Sequence, residues 1–181
     1  MFSEWKKFMG WVTIEYFMKN PNSKIHIKGL SKKLKISPGT SYIYLKEYEK
    51  SGALRKETAG NVHLYSLDNE NPLVKAMKRA YIVSQIMQSG FLEEIRTYAL
   101  AAALYGSSSS GDYTESSDID IIVIGDADIP ANVVRKLESF TGKEAGITRM
   151  SISEWKRKKE SGDFFIQSVL RNSVILLGER I

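Results

Sequence analysis

The sequence predicts a two-part mixed protein, an α+β domain of three helices and a hairpin followed by an α/β domain whose small mixed sheet is flanked by helices. Three observations predict it. The first third of the chain runs helix, helix, helix and then two alternating strands, whereas residues 91–177 alternate helical and strand-like segments around apolar runs. The charge changes sign between the halves. Residues 1–89 carry 15 basic residues against 7 acidic ones, a net +8, and residues 90–181 carry 11 against 14, a net −3. At 181 residues the chain is long enough for two small cores. The predicted boundaries are a first domain over 1–69, a linker helix over 70–90 and a second domain over 91–181.

Trp5, Phe8, Met9, Val12, Tyr16 and Phe17 recur at helical spacing, which predicts a helix over 4–19 that Asn20-Pro21-Asn22 stops. Lys24-Ile25-His26-Ile27 reads as a short β-like run, and 28–34 as a short helix. Ser37-Pro38-Gly39-Thr40 opens a third helix, with Ser37 as N-cap and Pro38 at the first helical position, ending near Ser51-Gly52. Its core side is Ser41, Tyr44, Leu45 and Tyr48, which leaves Gly39, Thr40, Tyr42, Ile43 and Lys46 outward. Strands follow over 54–58 and 62–67, joined by Ala59-Gly60-Asn61 as a tight hairpin.

Asp68-Asn69-Glu70-Asn71-Pro72 is a turn-rich break, after which 72–88 reads as a helix that links the domains or pairs with its copy in a homodimer. The second half continues as a helix over 91–98, a strand over 101–105, a serine-rich turn, and a strand bearing two aspartates. A helix over 130–140, a strand over 145–152, one long helix from Ser153 and a final strand over 174–177 complete it. In the long helix Trp155, Phe164, Phe165, Val169 and Leu170 read as core. Lys156-Arg157-Lys158-Lys159 reads as a solvated face or a contact to phosphates.

The chemistry lies in Gly106-Ser107, ten intervening residues, and Asp118-Ile119-Asp120 leading into Ile121-Ile122-Val123-Ile124. Two carboxylates one residue apart on a strand share a face, so both can grip one divalent metal. Gly106 lets the backbone approach a ligand closely, and a turn from Ser107 offers a hydroxyl and N–H groups to a phosphate. The chain has no cysteine, so a disulfide framework and thiolate metal sites are excluded. His26 and His63 are isolated and read as surface or packing residues. No apolar signal core or membrane span is evident, so the expectation is a cytoplasmic protein with no membrane partner.

Over about residues 91–181, Gly106-Ser107, Asp118 and Asp120 resemble the signature of minimal nucleotidyltransferases in the DNA polymerase beta superfamily. The resemblance implies a polymerase-beta-type nucleotidyltransferase domain in which Gly106 and Ser107 hold the triphosphate of a nucleoside triphosphate. It also implies that Asp118 and Asp120 are the catalytic carboxylates, ligating Mg²⁺ in a two-metal in-line displacement. Ser110 stands where the family commonly has a basic residue, and Ala145-Gly146-Ile147-Thr148-Arg149-Met150 lacks the third carboxylate often found on the next strand. Glu144, just before it, could substitute only in a different strand register.

Residues 27–67 resemble a winged helix-turn-helix domain. This implies a duplex DNA partner, with the third helix in the major groove and Thr40, Tyr42 and Lys46 at phosphates or bases. Arg55 and Lys56 would add backbone contacts from the wing. Together the readings predict a Mg²⁺-dependent transfer of a nucleoside monophosphate from a nucleoside triphosphate to a protein or nucleic-acid hydroxyl, coupled to DNA binding. The alternative is a DNA-binding transcription regulator whose second domain is a catalytically silent nucleotide-binding or dimerisation module. Members of the superfamily that act as antitoxins imply a third option, modification of a toxin-like protein partner.

Overall fold

A computed structural model describes residues 8–178, and the chain divides into two compact units, Met1–Met77 and Lys78–Ile181. In the first unit, helix α1 is Met9–Lys19, which buries Ile14, Phe17 and Met18; residues 4–7 of the predicted helix lie outside the described residues. Asn20 ends α1 by donating both its N–H and its side-chain amide back to Tyr16 O. Helix α2, Ile27–Leu34, begins one residue earlier than the sequence suggests, because His26 Nδ1 accepts from the Gly29 N–H at 2.7 Å and serves as the N-cap. The predicted β-like run at 24–27 is therefore reduced to a single bridge between Ile25 and Tyr65.

Helix α3 is Pro38–Lys50, capped as the sequence predicts by Ser37 Oγ accepting from the Thr40 N–H at 3.0 Å. Of its predicted core side, Ser41 and Leu45 are fully buried, while Tyr44 and Tyr48 are half-buried. Tyr48 spends its hydroxyl on Gly10 O at 2.7 Å, tying α3 to α1. Strands β1, Leu54–Ala59, and β2, Val62–Leu67, form an antiparallel hairpin with Ala59 opposite Val62. Phe17, Leu30, Leu45 and Tyr65 are each at most 1% exposed. At about 1.5–3 kcal/mol per buried large side chain, these four hold the unit together.

Helix α4, Pro72–Gln88, crosses the boundary between the units. The second unit then runs through α5 (Phe91–Ile95), β3 (Ala101–Tyr105), α6 (Gly106–Ser110), β4 (Ile119–Ile124), α7 (Ala131–Thr141) and β5 (Ala145–Met150). It ends with α8 (Ile152–Glu160), α9 (Phe164–Asn172) and β6 (Val174–Leu177). The sheet order is β5-β4-β3-β6, parallel between β4 and β5 and antiparallel elsewhere, so the small mixed sheet is as expected. One face packs Ala103, Ile122, Ile124 and Met150 against Trp155 of α8 and Ile166 and Val169 of α9. The other face buries Ala102, Leu104, Ile121 and Val123, and burial on both faces explains the unbroken apolar run of β4.

The second unit also differs from the sequence expectation: α5 ends at Ile95 and β5 at Met150, each two or three residues early, and two elements change character. The serine-rich segment is one turn of helix, closed by Gly111 at φ 85° whose N–H donates to Ser107 O. The single long helix is two, because Gly162 at φ 70° breaks it and Asp163 Oδ1 caps α9 through the Ile166 N–H at 3.1 Å. No described helix is long and apolar enough to cross a membrane.

Candidate active site

The register of the sheet brings Asp120 level with Tyr105 on β3 and with Gly146 on β5, so all three belong to one face. Asp118 stands just before β4 and is exposed, while Asp120 is half-buried. Glycine occupies both positions that would crowd Asp120. A Cβ on Gly106 would fall 2.6 Å from Asp120 Oδ2, and one on Gly146 would fall 2.9 Å from Oδ1. Gly106 also has φ 68°, so the sharp exit from β3 and the space for the carboxylate demand the same residue. Burial, and then the charge of Asp118, hold the Asp120 carboxyl above its ordinary range. Two carboxylates that repel each other at one sheet end form a site that a cation relieves.

The serine run divides into structural and available groups. Ser108 Oγ donates to Asp118 O at 3.2 Å, and the buried Ser109 hydroxyl lies 2.7 Å from Gly106 O and 2.6 Å from Asn172 O. These contacts seat α6 against β4 and α9. Ser110 Oγ turns back to Ser107 O at 3.2 Å, so it does not replace the missing basic side chain. The half-buried Ser107 hydroxyl has no hydrogen-bond partner among the described residues and remains available.

Positive charge comes instead from Lys143, which the sequence reading missed. Its Nζ donates to the carbonyls of Thr114, Glu115 and Ser117 at 2.8, 3.0 and 3.0 Å, pinning the loop that delivers Asp118. Burial lowers its pKa, and Glu115 and Asp118 oppose that shift. Lys143 Nζ also lies 5.3 Å from the ring centroid of the buried Tyr113, and the buried Lys78 Nζ lies 4.6 Å from it while donating to Tyr113 O. Only the residue type hinted at this, since the carbonyls are more than twenty positions away.

Beside Gly106 a cavity of about 500 Å³ opens, lined by Tyr105, Ser110, Phe165, Ser168, Val169 and Asn172. The Tyr105 ring meets Phe165 edge-on at 5.4 Å, and its hydroxyl pairs with Thr148 Oγ1 at 2.9 Å, so the aromatic wall is fixed. Mg²⁺ is commonly held by one or two carboxylates plus substrate phosphates, and Asp118 with Asp120 fits that donor set. Among the described residues no cluster of three or more acidic, histidine or cysteine side chains forms. Glu144 is exposed ahead of β5, where its carbonyl accepts from the Ile119 N–H at 2.9 Å.

The family model for the nucleotidyltransferase domain matches residues 74–174, more than half of the chain, and spans every residue of this site. The chain belongs to the nucleotidyltransferase-domain family. No curated protein matches it in sequence. Among solved structures, the nucleotidyltransferase chain is similar to a toxin-antitoxin complex with AMP-PNP at 20% identity, covering 54% of this chain and 74% of that one with a TM-score of 0.39. It is also similar to a tri-AMPylated Shewanella oneidensis HEPN toxin complexed with MNT antitoxin, at 17% identity, 55% and 72% coverage and a TM-score of 0.36. A candidate nucleotidyltransferase from Sulfolobus solfataricus matches at 15% identity, 59% and 88% coverage and a TM-score of 0.35.

Ahead of the nucleotidyltransferase match, the residues expected to meet DNA are mostly engaged. Lys46 pairs with Glu49 at 2.9 Å, Lys56 with Glu49 at 3.3 Å, and Arg55 with Asp68 at 2.7 Å. Thr40 Oγ1 lies 2.8 Å from Ser37 Oγ inside the α3 cap. Tyr42 is half exposed on the outer side of α3, next to Ile43.

Proposed function

We propose that the second unit transfers a nucleoside monophosphate from a nucleoside triphosphate to a hydroxyl on a protein or nucleic acid, with Mg²⁺ as cofactor. The observation that carries this reading is the Asp120 carboxylate seated between Gly106 and Gly146 and repelled by Asp118, at the strand end where the Gly106-Ser107 turn begins. Asp118 and Asp120 hold the cation, which when bound neutralises charge on the triphosphate and the leaving pyrophosphate. Ser107 donates to a phosphate oxygen, and Gly106 lets that phosphate approach the chain. The aromatic wall of Tyr105 and Phe165 receives the base and excludes water from one side of the reacting centre. Lys143 keeps Asp118 in place by holding its loop.

In the same reading the first unit, three helices ahead of a hairpin, is a winged helix that binds duplex DNA, and the acceptor is DNA-associated or a toxin-like protein. One observation favours a second reading. Gly146, level with Asp120 on β5, has no side chain to receive the acceptor proton, which suits a domain that binds nucleotide without transferring it. The deciding experiment supplies α-labelled nucleoside triphosphates, Mg²⁺ and cell extract to the unaltered protein, Asp118→Asn and Asp120→Asn. Label transfer by the unaltered protein alone supports transfer. Equal transfer by all three sinks it, and tight nucleotide binding without any transfer establishes the silent reading.

A further inference from the structure

Between Glu15 and Glu47 the chain carries seven lysines and no acidic residue. Three of the seven are neutralised by acids outside that stretch: Lys19 by Glu15 at 3.0 Å, Lys24 by Glu57 at 2.6 Å and Lys46 by Glu49 at 2.9 Å. The other four, Lys28, Lys32, Lys33 and Lys35, are exposed and have no acidic partner among the described residues. Lys28 and Lys32, four residues apart, share the side of α2 opposite the buried Leu30, and Lys35 follows as the helix C-cap in the left-handed conformation at φ 55°. Like charges so placed repel and weaken a helix. A bound polyanion turns that repulsion into attraction.

Lys28 also borders a cleft of about 460 Å³, lined with it by His26, Ile27, Pro38, Asn61, Val62 and His63, between the starts of α2 and α3 and the hairpin tip. No acidic side chain lines it. The outward side of α3 is different, since a cavity there mixes Lys46 and Lys50 with Glu47 and Glu49 beside Tyr42 and Ile43. Arg55 and Lys56 of β1 are likewise paired with acids.

We propose that the backbone of duplex DNA is held by Lys28 and Lys32 of α2, by Lys35 at its C-cap and by the adjoining cleft, and not by the outward face of α3. The inference rests on reading the first unit as a DNA-binding module and relocates its contact face. Lys28 and Lys32, about 6 Å apart along the helix axis, with Lys35 at the helix end, suit a linear polyanion. A membrane surface fits poorly, because no large apolar side chain of α2 is exposed beside these lysines.

Fluorescence anisotropy of a short mixed-sequence DNA duplex, titrated over a range of salt concentrations, tests it. The comparison is among the unaltered full chain, Lys28→Gln with Lys32→Gln and Lys35→Gln, the matching triple arginine variant, and Lys46→Gln with Arg55→Gln. Glutamine is tolerated in an exposed helix, and a thermal melt checks that each variant folds. The triple glutamine variant is expected to lose about tenfold or more in affinity and about 2.7 in the log–log salt slope. The arginine triple keeps both, and the Lys46/Arg55 variant stays within about twofold of the unaltered protein. Duplex binding that survives the triple glutamine change, or falls as far with Lys46 and Arg55 removed, overturns the α2 face while leaving the module reading standing. An unaltered protein that ignores duplex, or binds anionic phosphatidylserine vesicles more tightly, overturns the module reading itself.

Discussion

Asp120 lies directly across the β4–β5 ladder from Gly146, close enough that a Cβ on Gly146 would sit 2.9 Å from Asp120 Oδ1. The strand position best placed to bring a third carboxylate into the site is therefore occupied by hydrogen. Gly146→Ala forces Asp120 to rotate, because the contact is with a short, half-buried side chain. Mg²⁺-dependent nucleotide affinity is expected to fall about tenfold, with a stability loss of about 1–2 kcal/mol from overpacking. Calorimetric nucleotide titration and urea unfolding read the two effects, and unchanged affinity would remove Asp120 from the binding site.

Asp120→Asn should stabilise the metal-free protein while destroying its response to metal. The substitution removes a half-buried charge that burial and Asp118 both disfavour, so a small gain in stability is expected at neutral pH. The unaltered protein should gain Tm with Mg²⁺ and nucleoside triphosphate, whereas the variant should not. Thermal melts with and without the ligands check both signs.

Lys143→Met strands three carbonyls that a single ammonium now satisfies. Folding stability should drop by about 2–3 kcal/mol in urea, the cost of losing charge-assisted bonds from a partly buried group. Metal affinity should fall as well, since the loop carrying Asp118 is released. A variant as stable as the unaltered protein would show that the loop needs no clamp.

The Lys46–Glu49–Lys56 group gives the first unit a pH signature. Hydrogen bonding to Lys46 holds the Glu49 carboxyl below its ordinary range, with Lys56 adding to the shift. A depressed carboxylate stabilises above its unfolded value and loses that stability as pH falls through its folded value. Lys46 is shifted upward by Glu49, so its share is present below the ordinary lysine range and lost as pH rises through the folded value. Glu49→Gln should lower the urea midpoint slightly at neutral pH and converge with the unaltered protein in acid below the carboxylate range. A difference that persists undiminished in acid would contradict the ion-pair origin.

Much of the architecture was legible because it is local. Ser37-Pro38 marks the start of α3 through a hydrogen bond spanning three residues, and Ala59-Gly60-Asn61 sets the hairpin within one turn. The break at Gly162 was missed because residues 156–163 carry no apolar side chain to mark a change of face, and Phe164, read as core of one long helix, is 89% exposed at the start of the second. The helical turn at Gly106–Ser110 was missed because serine is a weak helix former. What holds that turn is a set of contacts from Ser108 to Asp118 and from Ser109 to Asn172.

By itself the sequence determined the class of each half, the cap that starts α3 and the apolar strand that carries Asp120, because backbone periodicity and turn chemistry act over a few residues. Only the tertiary structure decided that Gly146 faces Asp120, that Lys143 clamps the loop before Asp118, and that Lys46, Arg55 and Lys56 are paired while the α2 lysines are not. Those facts depend on strand register and on side chains far apart in the chain, which become neighbours only when the sheet and the helices pack.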